Sequence, residues 1–299
     1  MKILSFGSMN IDNTYSVDEF VQPGETMTAK NLSKFCGGKG LNQSIALASA
    51  GADVAHFGCV GEDGDILLDM LKSRGVNTDS VIKIDNITSG HAIIQVDSHG
   101  QNSILLYPGA NRRMTPELID RELEKYSCGD WLLIQNETNC LEYIMRAANK
   151  KGMKIAFNPS PMDETVSTLP LELVDLFLVN EIEGAAVTGK EITEEITAEF
   201  EKLFPNAAVI LTLGKKGSIF KSEKDMLFQP SYCGTVKDTT GAGDTYTGFF
   251  IANYINGVSP QECMRIAAMA STVQISRDGA AIAIPTKQEV LNALKNHCR

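Results

Sequence analysis

Along this chain the hydrophobic residues follow two periods. Short runs at 2–6, 54–59, 131–135, 154–158, 176–179 and 209–212 are apolar throughout or alternate with polar residues, and predict β-strands. Between them, at 41–50, 65–74, 141–151 and 193–203, apolar residues return every three or four positions and predict amphipathic helices. Gly51, Gly75 and Gly152 each fall just past such a stretch, where a left-handed residue commonly ends a helix. The last third, at 243–255, 260–275 and 286–297, is mainly helical in pattern. Strands alternating with helices over this length imply an α/β fold of three layers, a mostly parallel sheet with helices on both faces.

Two stretches break this rhythm. Residues from about 13–35 and 78–110 show period-two alternation and turn residues but little helical period. Within the second, 91–97 and 103–107 flank a Gly-containing loop at 98–102, which is a hairpin signature. The expected architecture is one α/β body over 1–299 with a small antiparallel β sheet inserted by these two stretches.

Composition narrows the function classes. Apolar residues make up 43% and charged residues 21% of the 299, enough to bury a large core in one or two domains of roughly 150 residues. Lys+Arg 27 against Asp+Glu 37 leaves a net charge of −10, which argues against a general grip on nucleic acid or a membrane surface. No apolar run reaches the ~18 residues of a membrane span. The first residues turn polar too soon for a secretory leader, so a soluble cytoplasmic protein is expected. The seven cysteines are odd in number and lack C-x-x-C spacing, so they read as reduced thiols, mostly small buried hydrophobes. His56, His91, His99 and His297 show no metal-ligand spacing.

A local anion site stays open to an acidic chain, because backbone N–H groups can build one. Asp238-Thr239-Thr240-Gly241-Ala242-Gly243-Asp244 leads into an apolar helix, so its small-residue turn leaves donors free at the helix's positive end. Such a turn can hold a polyphosphate, and a first-turn carboxylate such as Asp244 can take a proton from an attacking hydroxyl. Asp244 could equally be a carboxylate favoured at a helix start for its charge alone. A second glycine-rich turn, Cys36-Gly37-Gly38-Lys39-Gly40-Leu41-Asn42-Gln43, also opens a helix, but Gln43 stands where the dinucleotide fingerprint needs glycine. Lys39 and Asn42 there offer donors to hydroxyls, although glycines also serve turns without a ligand. The segment from Gly184 to Glu191 imitates a P-loop, but puts Glu191 where a Mg²⁺-binding hydroxyl is required and ends a helix rather than opening one. The acidic run Glu62-Asp63-Gly64-Asp65 lacks calcium-loop spacing and reads as a helix-start turn.

Together with Gly7-Ser8-Met9-Asn10-Ile11-Asp12, Asn180-Glu181-Ile182-Glu183 and Thr212-Leu213-Gly214-Lys215-Lys216-Gly217, these turns occur in the order seen in ribokinase-like (PfkB) sugar kinases. The chain resembles that family from Lys2 to the helix after Pro285. The resemblance implies transfer of the γ-phosphate of ATP to the primary hydroxyl of a small sugar, D-ribose first, with fructose, a keto-deoxy sugar or a nucleoside as alternatives. Asn10, Asp12, Gly38, Lys39, Asn42 and Glu137 stand where such kinases contact the sugar. By the same resemblance Asp244 is the base, and Gly241, Ala242 and Gly243 form the anion hole. Asn180, Thr212, Leu213, Gly214, Lys215, Lys216, Gly217 and Gly243 would line the ATP site, with Glu183 orienting Mg²⁺ through water. Asp238, Thr240, Gln274, Arg277, Gly279 and Ala283 match a K⁺ site, several through backbone carbonyls only. The inserted sheet would be a lid that closes over the sugar, excludes water and builds a homodimer. Three residues depart from the family pattern: Leu41, between sugar-contacting positions, Ser44 in place of the common Ala, and Phe249 after Gly248. A sugar-binding sensor without catalysis is the reading from another class, and the retention of Asp244 argues against it.

Overall fold

The computed structural model describes residues 1–297. In chain order its strands are β1 (Ile3–Phe6), β2 (Asn10–Ser16), β3 (Asn31–Gly37), β4 (Val54–Val60), β5 (Val81–Lys83), β6 (Gly90–Val96), β7 (Asn102–Tyr107), β8 (Trp131–Gln135), β9 (Lys154–Asn158), β10 (Leu176–Asn180), β11 (Ala208–Thr212), β12 (Ser218–Lys221) and β13 (Met226–Gln229). The α-helices are α1 (Lys39–Ser49), α2 (Asp65–Ser73), α3 (Pro116–Leu123), α4 (Leu141–Lys150), α5 (Glu181–Thr188), α6 (Thr193–Leu203), α7 (Ala242–Tyr254), α8 (Pro260–Gln274) and α9 (Lys287–His297).

Nine strands form one sheet in the order β13-β12-β11-β10-β9-β8-β1-β4-β5. It is parallel from β11 through to β5, and β12 and β13 continue it antiparallel. Successive residues of a strand face opposite layers, so Ile3 and Leu133 join a core with α1, α7, α8 and α9, while Leu4, Leu132 and Ile134 join one with α3, α4 and α6. Burial on both faces is why these strands read as unbroken apolar runs. The short β5, α3, α5 and the β12–β13 hairpin escaped the pattern. In β13, Met226 and Phe228 lie exposed at the sheet edge while Leu227 packs on the core and Gln229 is buried, a strand of four residues too short to show a clear period.

The small sheet has the order β3-β2-β6-β7. Its outer pairs are antiparallel hairpins, and its middle pair, β2 with β6, runs parallel with Asn10 opposite Gly90. A period-two pattern places residues on a face but says nothing of strand direction. The first inserted segment enters this sheet at Asn10 rather than near residue 13. The second enters only at Gly90, because Val81–Lys83 pairs with β4 in the large sheet. Both boundaries therefore differ from the 13–35 and 78–110 expected.

Helices α1 and α7 cross closely against the first core layer. A Cβ on Gly248 would lie 2.4 Å from Ala46 Cβ and 2.7 Å from the Leu47 nitrogen, so the crossing depends on that missing side chain. Leu41 and Phe249 are fully buried in this layer, so neither departs from the family pattern inside a ligand site. Cys36, Cys59 and Cys263 are buried as expected, but Cys128 and Cys233 are exposed; Cys298 lies outside the described residues. No helix among the described residues is long and apolar enough to cross a membrane.

Beneath α1, Ser44 Oγ hydrogen-bonds His56 Nδ1 at 2.7 Å. His56 is completely buried, and burial lowers its pKa from 6.5 to about 4. The neutral ring is therefore favoured by folding, and this contribution is full above pH 6.5. It is lost as the pH falls toward about 4, a loss of about 3 kcal/mol. Urea unfolding of the wild type and His56→Leu should show the stability gap between them narrowing across that window. Parallel curves would remove the buried imidazole as the cause.

Candidate active site

Both glycine-rich turns end at helix N-termini on the same side of the large sheet, and the two helices meet there. Asp244, in the first turn of α7, is 9% exposed. Its Oδ2 accepts a hydrogen bond from Asn42 Nδ2 at 3.0 Å and its Oδ1 one from Gln43 Nε2 at 2.9 Å. Lys39 opens α1 beside them. Burial works against its charge, but the carboxylates of Asp244, Glu137 and Glu183 outweigh that and raise its pKa. Of these groups Lys39, Asp244 and Glu183 share a cavity of about 180 Å³ with Asn180, Thr212 and the turn from Gly241 to Gly243.

Gly241 adopts φ 76°, the left-handed conformation glycine enters without a Cβ clash, and so swings the chain into α7. No side chain caps this helix. The Ala242 N–H turns back to Thr239 O at 3.2 Å. Among the described residues the N–H groups of Gly241, Gly243 and Asp244 have no backbone partner. The donors open to an anion are thus these three, with Asp244 in place of the expected Ala242. They stand at the positive end of α7, where an anion is stabilised.

Glu137 lies near Lys39 and Asp12 near Glu137, while Asn42 bonds Asp244 and Asn10 opens β2. Asn10 Oδ1 accepts from Asn111 Nδ2 at 2.8 Å, which leaves the Asn10 amide donors facing outward. Asn111 also bonds the Met9 backbone, with its Oδ1 accepting from Met9 N at 3.0 Å, and so fixes the root of β2. Glu137 Oε2 accepts from Lys39 N at 3.0 Å and from the Ser8 hydroxyl, leaving Oε1 for a ligand. Burial and the nearby Glu137 carboxylate raise the Asp12 pKa to about 6. Asn42 Oδ1 is buried without a partner, an acceptor awaiting a donor. Gly38 contributes the N-terminal cap of α1 through its backbone.

Asn180 and Glu183 cap α5 reciprocally: Asn180 Oδ1 accepts from Glu183 N at 2.9 Å, and Glu183 Oε2 accepts from Asn180 N at 3.0 Å. This capping box accounts for much of that motif, and Glu183 keeps Oε1 free of it. Gly189 closes α5 with φ 69°, so the P-loop imitation ends a helix as its sequence suggested. Of the loop after β11, only Thr212 lines the cavity. Leu213 is buried, and the Lys216 ammonium lies 3.4 Å from Glu181, outside the cavity lining.

Behind the turn, Gln274 Nε2 donates to the carbonyls of Thr240, Gly279 and Ala280 at 3.1, 3.1 and 2.9 Å, while its Oε1 is buried without a partner. Asp238 Oδ1 accepts from Thr240 N at 2.9 Å and Oδ2 from Gly279 N at 3.0 Å. These carbonyls and the Asp238 carboxylate are oxygens of the hard type K⁺ takes, but here the carbonyls meet at the Gln274 amide nitrogen and the carboxylate accepts backbone N–H groups. The Arg277 guanidinium instead faces Ala283 O at 3.5 Å and pairs with Glu289. Arg74 from the end of α2 holds the same loop through the carbonyls of Ala281, Ile282 and Ile284 at 3.0, 2.9 and 3.2 Å. Sequence reasoning passed over Arg74, and also Gln43, Gln135 and Asn158, which surround the carboxylate. Gln135 and Asn158 signalled themselves only as polar residues ending apolar strands, and Gln43 only as the last residue of the second glycine-rich turn.

The sequence pattern of the pfkB family carbohydrate kinases matches residues 1–287. A ribokinase of Haemophilus influenzae is 33% identical over 298 residues, covering 97% of each chain. Among solved structures, ribokinase from Thermotoga maritima superposes with a TM-score of 0.88 at 31% identity, over 98% of this chain and 99% of that one. Arabidopsis thaliana ribokinase complexed with ribose and ATP gives 0.86 at 29% identity over 98% of each.

Proposed function

Because this chain belongs to the pfkB family of carbohydrate kinases, we propose that it transfers the γ-phosphoryl group of ATP to the primary hydroxyl of D-ribose, releasing D-ribose 5-phosphate and ADP. The observation that carries the reading is one cavity holding both a hydrogen-bonded carboxylate and the free N–H groups at the start of α7. Full-length similarity to ribokinases, one of them complexed with ribose and ATP, supports the substrate pair.

In this reading Asn10 donates to a sugar hydroxyl, while Asp12, Asn42 Oδ1 and Glu137 Oε1 accept from others. Asp244 takes the proton of the primary hydroxyl as its oxygen attacks. The new P–O bond forms as the bond from the γ-phosphorus to the bridging oxygen breaks, and that electron pair leaves with ADP. The N–H groups of Gly241, Gly243 and Asp244 meet the charge on the transferring group. Asn180 and Thr212 border the nucleotide, with Leu213, Gly214, Lys215, Lys216 and Gly217 at its rim. Mg²⁺, held through water by Glu183, would neutralise phosphate charge, and K⁺ would sit among Asp238 and the carbonyls around Gln274. The protein works in the cytoplasm and pairs as a homodimer through its small sheet. In support, every residue of β7 is exposed, Ile104, Leu105, Leu106 and Tyr107 included. Light scattering of the wild type and Leu105→Glu should give a dimer and a monomer.

The deciding experiment is ADP release from MgATP, with and without K⁺, across D-ribose, 2-deoxyribose, fructose, 2-keto-3-deoxygluconate and nucleosides. Fast, K⁺-stimulated turnover on ribose is expected, and Asp244→Asn should lower it by ~10²-fold or more with its melting temperature kept. Preference for another sugar would replace the substrate and keep the mechanism. Silence with every sugar, despite sugar binding, would turn the reading to a sensor.

Asp12 sets a pH dependence. Its carboxylate is ionised above about pH 6 and protonated below it. Protonation removes acceptor capacity, so kcat/KM for the sugar should fall as the pH drops through about 6, a limb that Asp12→Asn should abolish.

A further inference from the structure

The bonds around Asp244 continue into the protein along a line that the proposed chemistry does not use. Gln43 Nε2 donates to Asp244 Oδ1 at 2.9 Å and to Asn158 Oδ1 at 3.0 Å. Gln43 Oε1 in turn accepts from Gln135 Nε2, the last residue of β8, at 2.8 Å. Asn158 is oriented independently, because its Nδ2 donates to Leu178 O at 2.9 Å. With Asn158 fixed and Asp244 accepting, only one amide orientation of Gln43 fits; Gln135, whose Oε1 is buried without a partner, meets the Gln43 oxygen with its NH₂. Turned over, its oxygen would face the oxygens of Asp244 and Asn158, and its NH₂ would face the NH₂ of Gln135. Gln43 and Gln135 are both fully buried, where mismatched polar groups are costly.

We propose that Gln43 and Gln135 are positioning residues that lock the Asp244 carboxylate in the rotamer needed to receive the sugar's proton. The proposal rests on the kinase reading above. Asn42 holds Oδ2 and Gln43 holds Oδ1, so both oxygens are pinned by neutral amides and the remaining lone pairs point into the cavity. The charged groups facing this point are Lys39 from α1, and Glu137 and Glu183 beyond it; β8 and β9 present only the neutral Gln135 and Asn158. The two glutamines touch no reacting atom in this arrangement and act through Asp244.

The test compares the wild type with Gln43→Met, which keeps the side chain's length and removes its donors, Gln43→Glu, and Gln135→Met. Single-turnover phosphoryl transfer from ATP is followed from pH 5 to 9, with sugar affinity by calorimetry and thermal melting alongside. Gln43→Met should slow transfer ~10–100-fold while sugar affinity stays within about threefold. Gln43→Glu should move the acid limb of the rate profile up by ~1 pH unit or more, because a like charge opposes ionisation. Gln135→Met removes the donor to Gln43 Oε1 while Asp244 and Asn158 still hold the Gln43 amide, and should cost a smaller factor, ~3–10-fold. Should Gln43→Glu fail to fold, the rate and affinity of Gln43→Met decide the matter. An unshifted profile, or losses wholly explained by sugar affinity or melting temperature, overturns the proposal. If the wild type is silent with every sugar, the kinase reading fails by itself. The titration of Asp244, followed by ¹³C NMR of labelled aspartate and assigned with Asp244→Asn, then decides: an upward shift in Gln43→Met supports the lock, and no shift overturns it.

Discussion

A carboxylate kept almost wholly out of water must be met by donors from the protein, and meeting Asp244 organises the rest of this molecule. Removing one such charge from solvent costs several kcal/mol unless partners replace the lost hydration. The partners come from one place, the first turn of α1, where Lys39, Asn42 and Gln43 face the first turn of α7. Two helix N-termini, each positive, are thereby drawn onto one anion. The helices cannot meet there unless their bodies also pack at short range. Gly248 makes that possible, one α7 turn beyond Asp244, where any side chain would collide with Ala46. A residue with no chemistry of its own thus follows from one with much.

The same constraint reaches the small sheet. Helix α1 begins two residues after β3 ends, so the strand and the helix cannot move independently at their junction. Glu137 ties the Lys39 backbone to the turn after β8, and Asn111 ties the start of β2 to the turn after β7. The root of the sheet is therefore bound to the site by carboxylate and amide bonds. Its far edge, β7, keeps apolar side chains in solvent. Asp12 sits in the bound root, where burial first and the nearby Glu137 carboxylate second raise its pKa.

Where a residue's environment repeats along the chain, the sequence announces it. The six central strands were legible because both faces are buried, and most helices because one face is. Asp244, Lys39 and Asn42 were legible because glycine-rich turns mark chain that must approach a ligand or another backbone closely. The β12–β13 hairpin was not, since its two strands have only four residues each, too few to show a period. Nor was the parallel pairing of β2 with β6, which depends on residues some eighty positions apart. Gln43, Gln135, Asn158 and Arg74 were missed for a further reason. Their meaning lies in which amide or guanidinium faces which oxygen, and nothing in a linear chain encodes that. Ala242 was misjudged as a donor on the same ground, because only the turn's geometry sends its N–H back to Thr239.

A chain with a net charge of −10 is an unpromising host for a polyphosphate, and the site answers this locally rather than by overall charge. Charges farther off than the Debye length, about 8 Å at physiological ionic strength, contribute little in solvent. What matters is the immediate surroundings: three backbone N–H groups, the positive end of α7 and the Lys39 ammonium. Lys39 faces three carboxylates that outweigh its burial and favour its charged form. Backbone donors are uncharged and attract no counter-ions when the site is empty, so little must be displaced before the ligand binds. Their direction is fixed by the helix, so no reorganisation is needed as charge shifts during transfer. An acidic surface beyond that radius then costs the ligand little affinity, while repelling polyanions too large to fit the cavity.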